Sequence, residues 1–79
     1  MTKYNLEPRI IGKEQKGFHV HVPGSLAGQV GHVIPTECGW IIKHGDGSLH
    51  ENNGETLTYK NANSAAKALV GYLEENNAL

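Results

Sequence analysis

The sequence predicts an α+β domain: a small antiparallel, meander-like sheet of about four to six short strands, with one C-terminal α-helix packed on one face. Three observations predict it. Asp46-Gly47 and Asn53-Gly54 separate short apolar runs, and such dipeptides favour type I′ hairpin turns because both central residues need positive φ. Phe18-His19-Val20-His21-Val22 alternates apolar and polar residues with the period of a half-buried strand. From Ala62 to Leu73 the small and apolar residues recur at helical spacing.

The elements follow in order. Pro8-Arg9-Ile10-Ile11 and Phe18–Val22 flank a polar stretch, Gly12 to Gly17, and read as a hairpin. Alternation puts Phe18, Val20 and Val22 on one face and His19 and His21 on the other. Pro23-Gly24 ends that strand, Gly24 to Gly28 is a flexible connection, and Gln29 to Ile34 forms another strand closed by Pro35, so that residues 8–35 make a β-hairpin region. Residues 38–76 then read as a β-β-β-α unit: Gly39–His44, Ser48–Glu51, Thr56–Tyr59 and the helix. Asn61 is the N-cap, since its side-chain oxygen can accept from the free N–H groups of the first turn. Ala62, Ala65, Ala66, Leu69 and Leu73 form the buried stripe, with Tyr72 at its border and most of the apolar surface expected from the two leucines. Glu74 and Glu75 oppose the helix dipole, so the last residues are expected to fray. No linker, low-complexity run or repeat divides the chain, and 1–79 reads as one domain.

Composition bounds the function. Seventy-nine residues, 38% of them hydrophobic, predict a thin core, near the size at which one core only just supports folding. Cys38 is the only cysteine, which excludes an intramolecular disulfide and a cysteine-rich zinc site. No apolar run is long enough to span a membrane, Met1-Thr2-Lys3-Tyr4 does not open a signal peptide, and a cytoplasmic location is the expectation. Net charge is −1 and unevenly spread. Residues 1–43 carry five basic against three acidic side chains, and residues 44–79 carry two against five. Neither half has the dense basic patch of a protein that binds by neutralising phosphates.

Reaction chemistry is hard to place on this chain. The glycine-rich run Gly24 to Gly31 lacks the lysine and hydroxyl of a phosphate-binding loop and the spacing of a dinucleotide site. Cys38, with His44 as its base, would be a nucleophile, but a cysteine leading into an apolar strand reads as a small core residue. Ser25 and Ser48 have no activating context. No catalytic residue and no cofactor is expected. The five histidines invite a metal: His19 and His21 share a strand face, and His32, His44 or His50 could supply a third ligand. With no Cys-x-x-Cys or His-Glu-x-x-His to reinforce that reading, no metal ligand is assigned and His-mediated metal binding stands as a second alternative.

Gly39-Trp40-Ile41-Ile42, Gly45-Asp46-Gly47, Tyr59 and Ala65-Ala66-Leu69 give an order of three strands and a helix that resembles the plant AP2-type and integrase arm-binding domains. That resemblance implies a three-stranded sheet laid in the major groove with the helix behind, although those families place several arginines where this chain has Lys43 among His44, His50, Glu51 and Glu55. Lys60-Asn61-Ala62-Asn63-Ser64 opens the helix in the place where the double-stranded-RNA-binding domain, a second similar topology, carries a lysine cluster. The short, glycine-rich, near-neutral chain is also similar in style to accessory proteins of phages and mobile elements.

The expected function is therefore a non-catalytic binding module, a protein-interaction, regulatory or inhibitor protein acting through a sheet face or edge. The candidate binding residues are Lys13, Lys16, His19, His21, Trp40, Lys43, His44 and Tyr59. Trp40 is a core anchor if the helix covers the Trp40/Ile42 face and an exposed hot spot if it covers Ile41. A protein partner is the first expectation, and pairing of two copies through open sheet edges follows from it. The alternative is nucleic acid, held by the three-stranded sheet and the Lys13–Lys16 turn.

Overall fold

A computed structural model of the chain describes residues 3–24 and 28–76. Four strands, β1 (Asn5–Ile11), β2 (Glu14–His21), β3 (Gln29–Thr36) and β4 (Gly39–His44), form an antiparallel meander in the order β1-β2-β3-β4. A two-stranded hairpin, β5 (Glu51–Asn52) and β6 (Glu55–Thr56), follows, and the helix α1 (Ala62–Glu75) packs back on β2, β3 and β4. The expected α+β architecture with one C-terminal helix is what forms.

The first hairpin is longer than the polar stretch suggested. Its turn is only Gly12-Lys13, with Gly12 at φ +65, and Glu14 to Gly17 belongs to β2. A single positive φ at the first central position suits a two-residue hairpin turn. Lys16 and Gly17 together oppose Arg9 in a bulge, where Gly17 (φ +88) lies buried against Val33 of β3. β3 likewise runs through Pro35 to Thr36 instead of stopping before the proline. The backbone groups of Trp40, Ile42 and His44 are bonded on the outer side of β4, to Tyr59, His50 and Ser48. Ile41 and Lys43 therefore bond β3, which leaves the nitrogen of Pro35 on the β2 side, where pairing has already ended at Phe18–Val33.

The β-β-β-α unit divides differently from expectation. Its first strand is the edge of the main sheet, whereas the second and third shrink to β5 and β6 around Asn53 (φ +54) and Gly54 (φ +82). Residues that were expected to extend them instead bridge β4 singly, Leu49 to Lys43 and Tyr59 to Trp40. Gly39 permits this approach, because a Cβ there would stand 2.8 Å from Tyr59 O.

Val20, Val22, Val30, Val33 and Ile42 from the sheet meet Ala65, Ala66, Leu69 and Val70 from α1, and all nine are buried. Val30 reaches the core because the β2–β3 register shifts there, pairing His21 with Gln29 and leaving Val30 as the extra residue. The helix caps as its sequence predicts: Ser64 N–H donates to Asn61 Oδ1 at 2.8 Å. Its buried stripe is centred on Leu69 and Val70, however, while Leu73 is only half-buried. Cys38, expected in the core, is exposed in the Glu37-Cys38 turn, held by Cys38 N–H donating to Thr36 Oγ1. Among the described residues no helix is long and apolar enough to cross a membrane. The Gly24–Gly28 connection, with Ser25, and the start of the chain at Met1-Thr2 fall partly outside the described residues.

Candidate binding face

Pleating sorts the candidate residues onto two faces. Register places Phe18, Val33 and Ile42 in one row on the helix side, so Trp40 and His44, two residues either way along β4, lie on that side too. Trp40 is half-buried, its ring stacked on Phe18 at a centroid separation of 6.0 Å. Tyr59, its cross-strand neighbour, packs on the same core, and burial raises its phenol pKa above the ordinary value. These two are core aromatics in this fold. His44 turns toward the C-terminal half of α1: its Nε2 lies 3.1 Å from His50 Nδ1, and the Tyr72 ring packs on both imidazoles at 5.4 and 4.9 Å. Burial and the neighbouring His44 lower the pKa of His50.

The other face carries a row across all four strands, Glu7–His19–His32–Lys43, flanked by the triplet Asn5–His21–Gln29 and the pair Ile34–Ile41. None of the residues this row contributes from β2, β3 and β4 is buried, and α1 lies on the opposite side. Because His32 bonds Lys43 through its backbone, His19 and His32 form a non-hydrogen-bonded pair, the closer of the two antiparallel spacings. Their side chains meet: Nδ1 to Nδ1 is 2.8 Å, so one ring donates and the other accepts. Gln29 Nε2 lies 3.4 Å from His32 Nδ1. Burial, then His19, Arg9 and Lys43, lower the pKa of His32, which favours its neutral form.

Lys13 and Lys16 stand apart at the tip of the first hairpin. Lys16 Nζ is 2.7 Å from Glu14 Oε2, both side chains exposed, so half of the tip's positive charge is locally compensated. Of the eight residues singled out by sequence, the fold thus gathers His19, His21 and Lys43 on one open face, sends Trp40, His44 and Tyr59 to the helix side, and leaves two lysines at a turn. Sequence reasoning missed Gln29 and Ile34 as members of that face, and offered His32 only as one of three possible third ligands beside His19 and His21. Alternation in β3 relates His32 to Ile34, but only the β2–β3 register sets His32 against His19.

Comparison with protein-family models, with curated proteins and with solved structures finds no match to this chain. The face must be interpreted from its own chemistry. Among the described residues no group of three or more histidine, cysteine or acidic side chains is arranged to hold a metal ion. Cys38 immediately precedes the extended β4 and His44 is its last residue, about 20 Å away by strand rise, so the histidine cannot serve that thiol as a base.

Proposed function

We propose that this chain is a non-catalytic protein-interaction module that takes an acidic, partly apolar protein segment on the open face of its sheet. One observation carries the reading. All five aromatic side chains, Tyr4, Phe18, Trp40, Tyr59 and Tyr72, belong to the helix side or to α1 itself. The open face keeps imidazoles, Ile34, Ile41 and the cations Lys43 and Arg9. A sheet that binds single-stranded nucleic acid does so largely by stacking bases on aromatic rings, and this face offers none among the described residues. Two isoleucines beside two fixed cations suit a peptide that presents carboxylates next to apolar side chains. Asp46, Glu51 and Glu55 lie between β4 and α1 and Glu74 and Glu75 in α1, while on this face Glu7 stands against the two cations Arg9 and Lys43, which leaves it net positive.

The face is better suited than the edges. β4 is bonded along its outer side by residues 48, 50 and 59. On β1, alternation carried from the His19–His32 pair leaves the Pro8 nitrogen facing outward, where it has no N–H to offer an added strand. Edge pairing of two copies is correspondingly disfavoured.

Peptides selected for binding the immobilised wild-type protein should be enriched in Asp or Glu beside apolar residues. They should lose binding to an Ile41→Asp/Lys43→Glu double variant and perturb the amides of β2, β3 and β4 in NMR spectra. Peptides that bind the double variant equally well would overturn the reading. So would a mixed oligonucleotide pool that shifts the same amides reversibly with salt while no peptide is enriched.

A further inference from the structure

We infer that His19 and His32 form a two-imidazole chelating site for a divalent transition-metal ion of tetragonal preference, Cu²⁺ or Ni²⁺. Three features carry this. The first is spacing. Two metal–imidazole bonds of about 2.0–2.1 Å meeting at a right angle put their nitrogens about 2.9 Å apart, whereas a tetrahedral angle needs about 3.3 Å. The Nδ1 atoms lie 2.8 Å apart across their present hydrogen bond, so only a small displacement brings them to the cis positions of a square-planar or octahedral ion, and tetrahedral zinc needs a larger one. The second is freedom. The rings meet edge to face at 61° on a side of the sheet that α1 does not cover. A histidine ring has a broad χ2 preference, so once the donating ring carries its proton on Nε2 instead, a modest rotation of each ring turns both Nδ1 lone pairs to a common point above the sheet. The third is the surroundings. Gln29 already reaches His32 with its amide, which can present oxygen as readily as nitrogen, and Glu7 pairs with His19 in the same row. Water completes the shell. Burial and the neighbouring charges lower the pKa of His32, which favours the neutral form that a metal needs. Arg9 and Lys43 are near enough to act on His32 and will weaken the binding of a dication without removing it.

The second imidazole pair does not share this freedom. His44 and His50 are 3.1 Å apart, but the Tyr72 ring lies against both and holds them. His21 shares the open face with His19, yet its strand partner is Gln29.

The test is a Cu²⁺ titration of the full chain, followed by electron paramagnetic resonance and by paramagnetic broadening of the histidine ring signals. The expected result is a first equivalent that shows nitrogen coupling and broadens His19 and His32 before the other histidines. His19→Ala and His32→Ala should each weaken that equivalent by at least about tenfold, whereas His21→Ala and His44→Ala should leave it within about twofold of wild type. Equal affinity in His19→Ala or His32→Ala would overturn the site, as would an equal loss in His21→Ala or His44→Ala. First broadening at His44 and His50 in the wild-type protein would overturn it as well. That last readout needs no variant and stands even if one fails to fold.

Discussion

Gly17→Ala tests the device that sets the binding face. Gly17 is buried in the β2 bulge at φ +88, where an L side chain is strained. A Cβ built there overlaps the carbonyl oxygen of Val33 and approaches Ile34 Cα to 3.1 Å, both of them backbone atoms of β3 that cannot turn aside. Two costs add. Holding alanine at positive φ costs about 1–2 kcal/mol. Relieving an overlap inside a packed sheet costs about 1–3 kcal/mol more. Gly12→Ala separates the two, because Gly12 also has a positive φ (+65) but nothing within 4 Å of an added Cβ. Urea denaturation should therefore show Gly12→Ala losing about 1–2 kcal/mol and Gly17→Ala about 2–5 kcal/mol, a large share of the ~5–15 kcal/mol typical of a domain. Because β2 must move away from β3 to admit the methyl group, the His19–His32 contact two residues on should loosen as well, seen as a change in both ring signals. Equal losses in the two variants would refute the argument, since the contact with Val33 would then carry no cost.

Three further outcomes are expected. Leu69→Ala, at a fully buried side chain in the same core cluster as Val33 and Ile42, should cost about 3–5 kcal/mol by urea titration, and a loss under about 1 kcal/mol would place the core elsewhere. Asn61→Ala removes the acceptor for Ser64 N–H and should cost about 1 kcal/mol, largely recovered by Asn61→Asp or Asn61→Ser. The folded pKa of His50 lies below its ordinary 6.5, so the unfolded chain binds its proton first. Stability contributed by neutral His50 is thus complete above about pH 6.5 and declines as pH falls toward the folded value. His50→Gln should flatten that part of a stability-versus-pH curve measured by thermal melting, and an unchanged slope would count against the assignment.

Much of this fold is legible because its signals are local. Alternation in Phe18–Val22 marks β2 and assigns its two faces, since neighbouring residues in a strand must point opposite ways. Asn61 announces the helix because its cap bond spans only three residues. Asn53-Gly54 forms a turn with both φ values positive, as its chemistry favours. Where local signals misled, longer-range contacts intervened. Polar Glu14-Gln15-Lys16 resembles a turn, but pairing of Glu14 with Ile11 and of Gln15 with Ile10 extends β2 through it. The stripe read from the sequence leaves out Val70, which the sheet packed against α1 buries.

The sequence by itself determined the α+β class, the alternation that separates His19 and His21 from the core, the capped helix, and the lack of a dense basic patch. Tertiary structure decided which face of β4 the helix covers, and so made Trp40 and Tyr59 part of the core and left Ile41 and Lys43 open. It also decided that His32 stands against His19. A side chain's direction is set by its own strand's pleat, which the sequence records. Its neighbour across the sheet is set by register, and that depends on two bulges and on which apolar rows α1 can bury together.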